Sequence, residues 1–202
     1  MRQSLVAVVA AMLVFAAPRA RADNAPLAEA VAEKVLGNPD APVTLTEFAS
    51  LTCPHCANFH HNFMPEIEKE LIKTGHVKLV FVDFPLDGLA VAASMLARCS
   101  GDDRYFGFLR VLFRSQESWS RAPNPRAALM QVARLGGISE SDFNACIANA
   151  ELLSGIEKAA VKAQEDHGVE STPSFLINGE KIEPRQLGDV IVALRKAVAG
   201  AR

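Results

Sequence analysis

The run Val43-Thr44-Leu45-Thr46-Glu47-Phe48, followed by Ala49-Ser50-Leu51-Thr52 and then Cys53-Pro54-His55-Cys56, decides how this chain is read. β-Branched and apolar residues directly after the breaker cluster Asn38-Pro39-Asp40-Ala41-Pro42 predict a strand. Past Cys53, residues Phe59, Phe63, Ile67, Leu71 and Ile72 recur at helical spacing as far as Gly75, so a helix begins at or beside the Cys-X-X-Cys. Pro65 falls inside that helix and is expected to kink it, because it has no N–H to donate back to residue 61. Val77 to Phe84 reads as a second strand. Strand, helix and strand in this order make a βαβ unit with a right-handed crossover.

Between Leu89 and about Gln164 the chain turns Ala-rich and Leu-rich with helical spacing. Breaks at Gly101, at Ala122-Pro123-Asn124-Pro125 and at Gly136-Gly137 predict an insertion of four or five helices. Strand signals return at Ser174-Phe175-Leu176-Ile177, followed by the turn Asn178-Gly179 and a short strand around Lys181-Ile182-Glu183. A last helix runs from about Arg185 to Val198. Phe106, Phe108, Phe113 and Trp119 read as core of the insertion, with a substrate groove as the rival reading.

The N-terminus reads as an address. Arg2, an uncharged apolar stretch from Leu5 to Ala17, then Pro18 and Ala20-Arg21-Ala22, have the layout of a secretory signal cleaved after Ala22. At about 1.5 Å per residue the apolar stretch is about 20 Å long, short of a hydrocarbon core of about 30 Å, which argues against an anchor. The expected organisation is therefore a signal peptide over 1–22, a first domain part over 23–87, a helical domain over 88–165 and a second part of the first domain over 166–202. A short helical tail at Pro26 to Leu36 precedes the first strand.

Composition bounds the rest. The 202 residues are 50% hydrophobic and 22% charged, ordinary globular values that exclude a disordered chain, and the length supports a core without stapling. A formal charge of -2 offers no basic footprint for nucleic acid. Cleavage of the leader removes three arginines and makes the chain more acidic.

Export places the cysteines in a compartment where disulfides persist. Cys53 and Cys56 sit three apart, whereas Cys99 and Cys146 are isolated, which points to two pairs with different jobs. Haem attachment by the Cys-X-X-Cys fails because residue 57 is Ala. Zinc lacks a second Cys-X-X-Cys or a spaced His pair, although His55, His60 and His61 are near, so no metal is expected. A purely structural bridge and a thiol redox centre remain, and the second has a mechanism. At a helix N-terminus, unpaired N–H groups and the macrodipole favour a thiolate at Cys53. Pro54 suits the first helical position. His55 adds charge or a hydrogen bond to the same thiolate, and Cys56, one turn in, is the resolving thiol behind an exposed Cys53.

With these residues on the page, the chain resembles the DsbA-type thiol:disulfide oxidoreductases of the thioredoxin superfamily over roughly residues 35–200. The resemblance rests on Glu47-Phe48, Cys53-Pro54-His55-Cys56, Asp83-Phe84-Pro85, the helical insertion, Thr172-Pro173-Ser174-Phe175 and Ile177-Asn178-Gly179. It implies an α/β thioredoxin fold with an inserted α-helical domain, and a cis-proline loop at Thr172-Pro173 facing Cys53 whose backbone pairs with an extended substrate. It implies that Glu47 is a buried acid that moves a proton to and from Cys56; its rival role is an outward strand residue. His60 and His61 read as surface or packing residues. DsbA itself has a nucleophilic Cys pKa of about 3.5 and a potential of about -120 mV, which are family expectations here. Some relatives carry a second, noncatalytic disulfide, implying a Cys99–Cys146 bridge against the alternative of two separate thiols.

The implied function is a periplasmic oxidase that introduces disulfides into reduced or unfolded exported proteins through a mixed disulfide at Cys53. It uses no cofactor, acts as a monomer, and is reset by a quinone-linked membrane thiol oxidase of the DsbB type. The alternatives are an isomerase or reductase of the same fold, or a nonenzymatic binding or chaperone module.

Overall fold

In the computed structural model, residues 24–201 are described; the predicted signal peptide lies outside them. Five strands form one sheet: β1 (Lys34–Leu36), β2 (Val43–Ala49), β3 (Val77–Asp83), β4 (Ser174–Ile177) and β5 (Glu180–Ile182), in the order β1-β3-β2-β4-β5. β2 and β3 are parallel, with Val43 opposite Val77 and Ala49 opposite Asp83, as a βαβ unit requires. β4 runs antiparallel to β2, pairing Glu47 with Phe175, and β5 returns antiparallel to β4. Asn178 and Gly179 both have positive φ, 52° and 84°, the conformation a two-residue hairpin turn demands.

The crossover contains α2 (Pro54–Asn62), α3 (Met64–Ile67) and a π-helical turn over Glu68–Ile72. Pro65 therefore does not sit inside a continuous helix. The break comes at Phe63, and Pro65 takes a first-turn position of α3, where a missing N–H costs nothing. α10 (Asp189–Gly200) starts later than the spacing suggested, because the Asp189 carboxylate accepts the backbone N–H groups of Arg185 and Gln186 ahead of it. Val43, Leu45, Phe59, Ile67, Leu79, Phe175, Val190 and Leu194 make one core where the sheet meets α2, α3 and α10.

The insertion has six helices rather than four or five: α4 (Gly88–Cys99), α5 (Asp102–Arg114), α6 (Gln116–Ser120), α7 (Pro125–Leu135), α8 (Glu140–Ile147) and α9 (Ala150–His167). The division between α5 and α6 falls at Ser115, where no Gly or Pro marks it. Phe108, Phe113 and Trp119 are buried and Phe106 is half-buried, so they serve as core. The largest core cluster joins this helical domain to the end of β2 and the start of α2, and includes Leu51, Cys53, Cys56, Phe81, Tyr105, Phe113 and Trp119. The first turn of α2 thus lies at the seam of the two parts.

The N-terminal segment also differs from the expected helical tail. α1 spans only Leu27–Val31, and the chain then pairs as β1 with β3, Lys34 opposite Phe81. The buried Arg98 guanidinium explains the change: it donates to the carbonyls of Ala30 and Ala32 at 2.8 and 3.1 Å while paired with Asp83 at 2.6 Å. Helix α1 stops where its carbonyls are taken. No helix among the described residues is long and apolar enough to cross a membrane.

Candidate functional site

Cys53 occupies the N-cap of α2 with extended φ/ψ of -75° and 119°, and its Sγ accepts the backbone N–H of Cys56 at 3.4 Å. Pro54 follows as the first helical residue. The loop leading in is held at each step. Cys53 N–H donates to Ser50 O at 3.1 Å, Thr52 Oγ1 donates to Asp87 at 2.6 Å, and Gln116 Nε2 donates to the carbonyls of both Leu51 and Cys53 at 2.8 and 2.9 Å. The position of the sulfur is therefore over-determined.

Cys53 and Cys56 are both unbonded thiols, 5% and 0% exposed. The expectation of an exposed Cys53 is corrected accordingly: packing against the helical domain and the Thr172 loop leaves the residue almost fully buried. The Thr172–Pro173 peptide facing it is cis, and the Cys53 thiol donates to Thr172 O at 3.3 Å. Cys53 is held below its ordinary value, at about 5, first by the hydrogen bond from the Cys56 thiol. Burial opposes that; the Thr172 hydroxyl and the backbone N–H groups of Cys56 and His55 reinforce it. Thr172 Oγ1 is buried without a hydrogen-bond partner among the described residues, which leaves it available to the Cys53 sulfur. Cys56 goes the other way, its thiol pushed far up by burial, then by the hydrogen bond and charge of Cys53, with the Glu47 carboxylate adding to the push.

His55 is exposed, and what it gives the thiolate is its backbone N–H rather than imidazole charge. At helix position N2 its side chain points into solvent while its N–H points at the cap. Glu47 is fully buried, not an outward strand residue, since it shares the inward face of β2 with Val43 and Leu45. The reading of His60 as a surface or packing residue missed its polar role. His60 is 9% exposed, with Nε2 at 3.1 and 3.0 Å from the two Glu47 oxygens and its ring stacked on Phe113 at 4.2 Å. One signal was available, because His60 lies four residues after Cys56 and so on the same face of α2. Nothing comparable marked Gln116, which reaches the site from the helical domain. His61 is exposed.

Cys99 and Cys146 form a disulfide with Cα atoms 6.2 Å apart. It lies in a separate apolar cluster with Ala30, Met95, Leu152 and Ile156, joining α4 to α8.

Comparison with known proteins agrees with this architecture. The family model described as thioredoxin matches residues 29–194. A Rickettsia bellii protein named as a protein-disulfide oxidoreductase is 31% identical over 170 residues, 82% of this chain but 64% of that protein, so the chain spans just under two thirds of its length. Disulfide bond formation protein D of Bacillus subtilis is 28% identical over 163 residues, 75% of this chain and 70% of that one. The crystal structure of Wolbachia pipientis α-DsbA1 superposes with a TM-score of 0.76 at 32% identity, covering 84% of this chain and 92% of that one. The fold is thus a thioredoxin fold with an inserted helical domain. On these matches the chain belongs to the thioredoxin family, among its DsbA-like members.

Proposed function

We propose that the protein is an exported thiol:disulfide oxidoreductase that introduces disulfide bonds into other exported proteins by way of a Cys53 mixed disulfide. The observation that carries this reading is the asymmetric pair at the start of α2, with a stabilised thiolate at Cys53 backed by a fully buried, hard-to-ionise Cys56.

In the oxidised form a substrate thiolate attacks the Cys53 sulfur; a bond from Cys53 to the substrate forms, the Cys53–Cys56 bond breaks, and the electron pair leaves on Cys56. Glu47 gives Cys56 a proton. A second substrate thiolate then attacks the substrate sulfur of the mixed disulfide, and Cys53 leaves as a thiolate. The direction follows from leaving-group quality, because a thiolate favoured two pH units below neutrality stabilises the reduced form. That is about 2.7 kcal/mol, or roughly 60 mV, as an upper bound. Solvent screening reduces it.

Thr172 and Pro173 present backbone to an extended substrate segment as an added strand. His55 contributes through its N–H. Residues 1–22 direct export to the periplasm; 23–87 and 166–202 form the thioredoxin part around the helical domain 88–165. The protein works as a monomer without a cofactor, on reduced or unfolded exported proteins, and a quinone-linked membrane thiol oxidase of the DsbB type resets it.

The test is the equilibrium potential of the Cys53–Cys56 pair in glutathione buffers at pH 7. The reading expects a value well above about -180 mV; a value near or below about -250 mV overturns it in favour of a reductase.

A further inference from the structure

We propose that His60 is the positioning residue that keeps the Glu47 carboxylate able to take the proton of Cys56, and so sets the rate at which Cys56 resolves a mixed disulfide. This rests on the oxidoreductase reading above and extends it to a residue outside the Cys-X-X-Cys and its proline loop.

The geometry leaves Glu47 little else. Its side chain is fully buried, Phe81 stands directly opposite it on β3 and Phe175 opposite it on β4. Among the described residues, His60 Nε2 is the hydrogen-bond donor within reach of its two oxygens. A carboxylate buried among aromatic rings without a donor holds its proton, and a hydrogen bond to the charged form reverses that preference. The ring is fixed in place by Phe113 stacked on one face and Phe81 at its edge, 6.1 Å away. Its other nitrogen, Nδ1, has no partner in the interior. Among the described residues the ring's hydrogen bonds go to Glu47 alone.

The other titratable groups around the pair come from three elements. Cys56 lies on α2 and feels the Glu47 charge, as does the buried Tyr105 phenol of α5. The outer edge of His60 lines a pocket of about 300 Å³ with His61, Pro65, Arg110 and Arg114, and Arg110 is itself paired with Glu68. None of these besides His60 bonds the carboxylate.

The step balances within the pair. With Cys53 joined to a partner sulfur, the Cys56 thiol gives its proton to Glu47, and the Cys56 thiolate attacks the Cys53 sulfur. The Cys53–Cys56 bond forms, the bond from Cys53 to the partner breaks, and the partner leaves as a thiolate. The proton stays on Glu47 until a substrate reopens the disulfide and Cys56 takes it back. In this step His60 acts by its hydrogen bond to the carboxyl group, not as the proton carrier.

The test uses the full-length reduced protein and glutathione disulfide. Acid-quenched mass analysis follows first the formation of the Cys53–glutathione adduct and then its resolution, from pH 5 to 9. In His60→Phe, resolution at pH 7 is expected to slow by about tenfold or more, because less of the carboxylate is free to accept a proton, with the half-maximal rate moved to higher pH. Adduct formation stays within about twofold. His60→Gln, which keeps an N–H donor, recovers most of the rate. Unchanged resolution in His60→Phe, or equal slowing of both steps with no change of pH profile, overturns the inference while leaving the oxidoreductase reading in place. Failure of the native protein to form the adduct at all overturns both. If His60→Phe does not fold, His60→Gln against Glu47→Gln decides: the inference requires the first near native and the second slow.

Discussion

The two cysteine pairs of this chain show how much surroundings matter to the same two sulfur atoms. Cys53 and Cys56 are three residues apart at a helix start, where backbone N–H groups, the Thr172 hydroxyl and a buried carboxylate all address the sulfurs. Cys99 and Cys146 are 47 apart, joined, and packed among Ala30, Met95, Leu152 and Ile156. The first pair is placed so that one thiol ionises easily and the other hardly at all. The second has apolar neighbours that reward only staying closed. A helix N-cap makes a thiol reactive; a closed apolar cluster makes one inert.

The comparison breaks most sharply at Cys53. Replacing it (Cys53→Ser) should abolish catalysed oxidation of a reduced peptide, a loss of at least about a thousandfold at the scale of an activated nucleophile. Cys99→Ala/Cys146→Ala should keep turnover within about twofold. No catalysed oxidation by the native protein, with affinity for unfolded segments unchanged in Cys53→Ser, would instead favour a binding or chaperone module.

Stability should rank the pairs the other way. Opening the Cys99–Cys146 loop is expected to lower the unfolding free energy by about 4 kcal/mol in the chain-entropy model, read from urea titrations. Breaking the buried Asp83–Arg98 pair near it, by Asp83→Asn, should cost about 3 kcal/mol, because the Arg98 guanidinium is left in the interior without its counter-charge.

A pH series sharpens the contrast. In the reduced protein Cys53 is at about 5 when folded, against about 8.5 in an unfolded chain. A depressed folded value gives stability that is complete above about pH 8.5 and disappears as pH falls through about 5. The difference in urea midpoint between reduced and oxidised protein should therefore shift toward the reduced form from pH 5 to 8. Cys53→Ser, which has no thiolate at this position and forms no disulfide with Cys56, should lack the gain in urea midpoint that the reduced native protein shows from pH 5 to 8. The Cys99–Cys146 bridge, which does not titrate, should add nothing to it.

The smallest effect concerns one hydroxyl. Thr172→Val removes a group that favours the thiolate and should raise the Cys53 value by about one unit, seen in thiolate absorbance, and lower the potential by about 30 mV.

Local signals made much of this legible. Val43–Phe48, Val77–Phe84 and Ser174–Ile177 announced their strands through β-branched and apolar runs, and Asn178-Gly179 announced its turn. The Cys-X-X-Cys announced a helix start because Pro54 and the spacing of Phe59, Phe63 and Ile67 are local facts. β1 was missed because Lys34-Val35-Leu36 is too short to show a period and becomes a strand only by pairing with β3. The α5–α6 division was missed because it follows from packing at Ser115 rather than from a breaker residue. At the site, Cys53, Cys56, Glu47 and Thr172-Pro173 were legible by motif and resemblance. His60 and Gln116 were not.

What the sequence by itself determined is what travels along the backbone: the strand periods, the βαβ order, the N-cap position of Cys53 and the pairing of a reactive motif with a distant Thr-Pro. What only the tertiary structure decided is which groups meet across the chain. Glu47 and His60 are 13 residues apart, and Gln116 reaches carbonyls 65 and 63 residues away. Such contacts depend on how the helical domain closes over the sheet, and a hydrogen bond between distant residues leaves no periodic trace in either segment. Their effect on Cys53 and Cys56 is nonetheless first-order, because in a site this buried each donor or carboxylate acts at short range through a low-dielectric interior.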